Sequence, residues 1–190
     1  MLIRRTKMIN ISEEVKHVLV SAEELDTITT ALAKKISEDF EGKNLVLLGI
    51  LKGSVPFMSD IMRKITLPAE LEFMKVSSYG AGTVSTGNLK IHLDILRDGL
   101  ENCDFLIIED IIDSGRTLSM LVEHLNKKGA RSVKTCTLLD KPSRREVNFT
   151  PDYVGKEIPD HFVVGYGLDF DEKYRTLPYV GIPNFVFENK

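Results

Sequence analysis

The stretch from Leu106 to Thr117 reads LIIEDIIDSGRT. An apolar run closes on two adjacent acids, Glu109 and Asp110; a third acid, Asp113, follows, and then Ser114, Gly115, Arg116 and Thr117. Buried carboxylates are costly unless they are paired or meet a cation. Two of them at the end of a buried strand therefore call for a ligand, either sugar hydroxyls or a magnesium ion. The small polar turn after them supplies what a phosphate needs. Backbone N–H groups at a helix start have no acceptor within the helix, and the helix dipole favours an anion there. Ser114 and Thr117 can add hydroxyl donors. By itself the turn also reads as a plain helix cap, with Asp113 or Ser114 as the capping residue. The nucleotide-binding GxxxxGK[ST] loop is absent: Arg116 stands where the lysine would be, with no glycine upstream.

These groups need a scaffold. NLVLLGIL (44–51), DFLIIED (104–110) and SVKTCTLLD (132–140) are near-continuous apolar runs, as expected of strands buried on both faces. LEFMKVSSY (71–79) and NLKIHLDIL (88–96) read as two further strands. Helical spacing links Leu25, Ile28, Leu32, Ile36 and Phe40 after a capping box at Ser21 and Glu24, and Gly42 ends that helix. Pro56 opens a second helix, and Leu118, Leu121, Val122 and Leu125 mark the inner face of a third. Strands alternating with helices predict an α/β fold, a parallel sheet flanked by helices, with ligands at the carboxyl ends of the strands. Four polar clusters fall at such ends: Lys52-Gly53, Ser78-Tyr79, Glu109 to Thr117, and Asp140-Lys141. The glycine-rich segment from Gly80 to Gly87 reads as a mobile loop.

Composition sets outer bounds. A length of 190 residues suits a single domain, and a net charge of -3 argues against a nucleic-acid binder. Cys103 and Cys136 stand in no CxxC or His/Cys cluster, which disfavours zinc or a disulfide framework and fits a reducing cytoplasm. No apolar run reaches the roughly 18 residues of a membrane helix, and the N-terminal arginines are followed by no signal-peptide core. The four histidines show no metal-ligand spacing.

IIEDIIDSGRTL resembles the signature of type I phosphoribosyltransferases, which bind 5-phosphoribosyl-1-pyrophosphate. GILKGSVPF, VSSYG, LLDKPSRR, PDYVGKEIPDHFVVGYGLDFDEKYR and LPYVGI narrow the resemblance to the hypoxanthine and hypoxanthine-guanine branch, from about Lys16 to Ile182. It implies a type I phosphoribosyltransferase-like sheet spanning about 40–150, with a small hood lobe from about 1–20 and 151–190. It implies purine salvage: hypoxanthine, and guanine with it, would react with phosphoribosyl pyrophosphate to give IMP or GMP and pyrophosphate. Glu109 and Asp110 would hold the ribose hydroxyls, partly through magnesium, and Asp113 to Thr117 would cradle the 5′-phosphate. Asp113 would exchange a proton with N7 of the purine. Lys52 and Gly53, after a peptide bond that is often cis in the family, would bind pyrophosphate together with Arg175. Lys141 would donate to the 6-oxo group, Phe162 would stack on the ring, and the Val163 backbone would read its edge. Asp169 would complete the magnesium site, and Ser78 and Tyr79 would begin a closing loop. Partners would be these small molecules, with no nucleic acid or membrane, and the chain would form a homodimer or homotetramer.

Taken singly, several of these residues have plainer readings: Lys52 as an exposed charge in a turn, Arg175 as surface charge, Phe162 as core. Two rivals share the fold. A non-catalytic nucleic-acid-binding regulator predicts a basic face and a degraded site, which the balanced charge and intact acids oppose. A phosphoribosyltransferase for another base such as xanthine is only weakly opposed, because Lys141 suits any 6-oxopurine.

Overall fold

The computed structural model describes residues 11–78 and 89–185. Tyr79 and the predicted loop from Gly80 to Gly87 lie outside the described residues. The main sheet has six strands in the order β4-β3-β2-β5-β6-β7. These are β2 (Leu45–Ile50), β3 (Ala69–Ser78), β4 (Leu89–Leu93), β5 (Asp104–Ile112), β6 (Ser132–Asp140) and β7 (Tyr153–Glu157). All neighbours run parallel except β3 and β4, which form an antiparallel edge pair. The expectation of a parallel sheet is met at its centre and corrected at this edge. The predicted strand 88–96 is also shorter, ending at Leu93.

Alternation along the central strands builds two apolar layers. Leu45, Leu47, Leu106 and Ile108 face helices α1 (Ala22–Asp39) and α2 (Val55–Lys64), where they meet Leu25, Ile36, Phe40, Phe57 and Ile61. Val46, Leu48, Phe105 and Ile107 face helix α3 (Arg116–Lys127) and pack with Leu118, Leu121 and Leu125. Every residue of β2 is buried, which is why its sequence shows no polar alternation.

Helix α1 begins where the sequence predicts. Ser21 Oγ accepts the Glu24 N–H at 3.2 Å, but the Glu24 carboxylate turns away to Lys156 instead of closing a reciprocal box. The helix ends at a Phe40 cap, with Gly42 in the left-handed region just beyond.

A second, two-stranded antiparallel sheet joins β1 (Val15–Val20) to β8 (Val180–Pro183). Neither strand shows in the sequence as a strong run. Strand β7 lies in the stretch assigned to the hood from sequence, yet it pairs with β6 in the main sheet. Gly155 lies close against the Leu138 carbonyl of β6, and the segment after Glu157 returns to pair β8 with β1 in the smaller sheet.

Replacing Ser21 by alanine removes the side chain that caps α1. It is expected to lower stability by about 0.5–2 kcal/mol, read from denaturant unfolding. An unchanged midpoint would mean that packing of Leu25 and Ile36 holds this end unaided.

Candidate active site

Strand register decides which side chains meet. Gly49 pairs with Ile108, so the next residues of β5, Glu109 and Asp110, run past the end of β2 and over the loop that follows it. In that loop the Leu51–Lys52 peptide bond is cis, as the resemblance implies. Asp110 lies directly on Gly53: a Cβ there would fall 1.7 Å from Asp110 Oδ2, so no larger residue fits without moving the carboxylate. On the other side of β5, Ile112 pairs with Asp140. That register brings the residues just beyond, Asp113 and Lys141, to 3.7 Å between Oδ1 and Nζ. The Lys141 ammonium also lies 3.9 Å from Asp160, and its side chain is almost wholly buried.

Two pockets open side by side at this end of the sheet. One is lined by Glu109, Ile111, Asp113, Ser114, Gly115 and Thr117. The other is lined by Asp110, Ile111, Asp113, Lys141, Phe162, Val163, Leu168 and Asp169. Adjacent residues of an extended strand project to opposite sides. The neighbouring carboxylates Glu109 and Asp110 accordingly serve different pockets, and Asp113 borders both.

The first pocket ends on the start of α3. Its N-cap is Gly115, in the left-handed region, which has no side chain to cap with. The capping role weighed for Asp113 is therefore corrected: its Oδ1 is buried and has no hydrogen-bond partner. Ser114 Oγ accepts the Arg116 N–H at 3.3 Å. Gly115, Thr117 and Leu118 at the helix start line this pocket with the Ser114 side of the turn, and a helix start of this kind suits an anion. The Arg116 side chain points elsewhere, paired with Glu146 at 2.6 Å.

The second pocket joins an apolar wall to a charged floor. Phe162 is exposed and meets Phe170 edge-on, with centroids 5.9 Å apart, while Val163 is buried. Asp169 accepts from Arg175 at 2.8 Å, and Arg175 also donates to the Gly167 carbonyl at 2.7 Å. Gly167 itself sits against the Gly53 carbonyl, so the loop carrying Asp169 and Arg175 packs on the loop carrying Lys52. Lys52 and Arg175 both reach Glu172, at 3.0 and 3.3 Å.

The electrostatics mark the acids as unfinished. Burial pushes the Glu109 carboxyl well above the ordinary range, and the neighbouring Asp110 adds to this. Glu109 Oε2 is buried without a hydrogen-bond partner. Burial raises Asp110 to about 6, against the lowering effect of the Ile111 N–H and of Arg175. Among the described residues, no three His, Cys, Asp or Glu side chains gather closely enough to hold an ion by themselves. Glu109, Asp110 and Asp169 thus do not form a protein-only cage. Asp110 and Asp169 share a pocket, and an all-oxygen donor set of this kind suits magnesium completed by substrate phosphates and water.

Of the remaining residues singled out from sequence, Ser78 ends β3 and Tyr79 lies outside the described residues. Sequence reasoning missed Asp160, which faces Lys141, and Glu172, which bridges Lys52 and Arg175. It also missed Arg145, whose guanidinium donates to both the Asp113 carbonyl and the Asp140 carboxylate. Nothing local distinguishes Arg145 from Arg144 in KPSRR; only the return of the chain beneath the 113–115 turn does so.

Comparison with known proteins agrees with this geometry. Residues 21–171 match the phosphoribosyl transferase domain model. The chain is 46% identical over 180 residues to the hypoxanthine-guanine phosphoribosyltransferase of Streptococcus thermophilus, covering 95% of this chain and 99% of that one. It is 48% identical over 185 residues to the bifunctional protein TilS/HprT of Listeria monocytogenes, covering 95% of this chain but only 28% of that longer protein. A crystal structure of a hypoxanthine phosphoribosyltransferase from Staphylococcus aureus superposes with a TM-score of 0.88 at 45% identity, covering 93% of this chain and 96% of that one. The chain belongs to the phosphoribosyltransferase family, in its hypoxanthine-guanine branch. Membership is consistent with a requirement for a divalent metal.

The buried acids carry a stability signature. A carboxyl raised in the folded state stabilises below its unfolded pKa and loses that contribution as pH rises through the folded value. Asp110 rises from 3.8 to about 6. Asp110→Asn is therefore expected to be more stable than the parent at pH 8, by up to about 3 kcal/mol. The advantage should shrink as pH falls through 6 and vanish below about 4. Thermal melts across pH check this, and a variant that is less stable at pH 8 contradicts it.

Proposed function

We propose that the chain transfers the phosphoribosyl group of 5-phosphoribosyl-1-pyrophosphate to a 6-oxopurine, hypoxanthine or guanine, releasing IMP or GMP and pyrophosphate. The observation that carries this reading is the pair of pockets divided by β5 and meeting at Asp113, with buried acceptors on Glu109 and Asp113 that receive no hydrogen bond. The branch to which the chain belongs supports the same reading. A purine in the second pocket would lie on Phe162, with the Lys141 ammonium donating to its 6-oxo group and the Val163 backbone at its edge. The 5′-phosphate would sit on the turn from Asp113 to Thr117, and Glu109 and Asp110 would take the ribose hydroxyls between them.

In the transfer, N9 of the purine forms a bond to C1 of the ribose as the C1–O bond to pyrophosphate breaks, with that electron pair leaving on pyrophosphate. The proton on N7 passes to the Asp113 carboxylate, whose Oδ1 accepts no hydrogen bond and lies 3.7 Å from the Lys141 ammonium. A positioned base of this kind contributes roughly 10²–10⁴-fold. Lys52 and Arg175 would hold the departing pyrophosphate. Magnesium, held by Asp110 and Asp169 with Glu109 at the ribose, would neutralise charge on the leaving group when bound. Residues 78–87 would close over the site and exclude water. Two free, buried cysteines favour a reducing, cytoplasmic setting, and a homodimer or homotetramer follows from the resemblance.

The direct test is product formation from hypoxanthine, guanine and xanthine in turn, with phosphoribosyl pyrophosphate and magnesium. IMP and GMP are expected, with chelation abolishing turnover and added magnesium restoring it. Full activity in excess chelator, or no product from any base, would sink the reading.

Asp113→Asn tests the proton acceptor. Asn keeps the shape, and because Asp113 caps no helix the variant should melt within a few degrees of the parent. It should still bind phosphoribosyl pyrophosphate and lose about 10²–10⁴-fold in turnover. Near-normal turnover would require another acceptor for the N7 proton.

A further inference from the structure

Lys52 and Arg175 come from opposite ends of the chain, one in the loop after β2 and the other beyond Asp169, yet they converge on a single atom. Glu172 Oε2 lies 3.0 Å from Lys52 Nζ and 3.3 Å from Arg175 Nη2. The carboxylate is aimed there. The Asp169 carboxylate accepts the Glu172 backbone N–H at 3.0 Å. Asp171, Glu172 and Tyr174 all take left-handed backbone conformations, with φ of 51°, 60° and 75°. L-residues adopt that region reluctantly, and such outliers cluster where a site demands them. Arg175 is not fully satisfied by this arrangement, since its Nε is buried with no hydrogen-bond partner. Two cations are thus held in register by a replaceable anion, with a donor still in reserve.

We infer that Glu172 is an affinity-determining residue of the pyrophosphate subsite: its carboxylate occupies the place of a pyrophosphate oxygen between Lys52 and Arg175, and returns there as pyrophosphate leaves. This rests on the phosphoribosyltransferase reading of those two cations. An incoming diphosphate must displace the carboxylate, so part of its attraction to the cations is spent in breaking two existing ion pairs. The same competition weakens the product complex and favours release. The side chain is largely exposed, so it can swing out without disturbing the core. Its contacts are all to the two cations and to the loop that carries it.

A structural support and a competitor give opposite signs when removed. Glu172→Gln keeps the size of the side chain and deletes its charge; Glu172→Asp keeps the charge and shortens the reach. Binding of magnesium pyrophosphate to the full chain is measured by titration calorimetry, alongside initial-rate kinetics. For Glu172→Gln, pyrophosphate is expected to bind about three- to thirtyfold more tightly, through release of two ion pairs on a largely exposed carboxylate. The KM for phosphoribosyl pyrophosphate should fall, and kcat should stay level or fall as product release slows. Glu172→Asp should lie between the parent and Glu172→Gln. Unchanged or weaker pyrophosphate binding by Glu172→Gln overturns the inference while leaving the transferase reading intact. Failure of the parent itself to bind magnesium pyrophosphate overturns that reading and the inference together.

Discussion

The site depends on two acids that the main sheet buries and does not satisfy. Strand β5 is held on both sides by parallel neighbours, so its register cannot slip to relieve Glu109 or Asp110 without turning every apolar residue of the strand to the wrong layer. The sheet therefore holds two carboxyls out of water in fixed positions, with pKa values raised by that burial. Buried carboxyls left in this way favour a partner that satisfies them, which is how such a site differs from a well-satisfied core.

The loops around these acids are arranged by contact with them. Gly53 is the size it is because Asp110 lies on it. The 165–175 segment approaches the same loop through Gly167, carrying Asp169 and Arg175 with it. Beneath the opposite pocket, Arg145 ties the Asp113 carbonyl to Asp140, and the Glu146 N–H donates to the Ser114 carbonyl at 3.0 Å. The groups lining both pockets are thus braced against one strand end. Ile111 and Asp113 border both pockets.

Charge is balanced locally among the site's own side chains. Lys141 lies between Asp113 and Asp160, and Lys52 and Arg175 meet at Glu172. Each cation that would face a substrate has an internal carboxylate partner first. Such pairs keep the cations positioned but are individually weak where water reaches them, so ligands of higher charge can exchange with them.

The central strands, the three long helices and the acids of the opening motif were legible in the sequence, because fully buried strands and amphipathic helices impose local periodicities and a strand-to-helix turn leaves a compact signature. The motif also determined that neighbouring acids would part to opposite sides, since strand geometry alone requires it. Strands β1 (VKHVLV), β7 (YVGKE) and β8 (VGIP) show neither a long apolar run nor clean alternation, and they pair where β6 and each other offer open edges. The antiparallel turn of β4 and the glycine N-cap of α3 were likewise invisible. What tertiary structure alone decided were the partners. Register placed Asp113 beside Lys141, and the return of the chain after Phe162 brought Glu172 between Lys52 and Arg175. Such meetings depend on how distant segments pack, and no local pattern of residues encodes them.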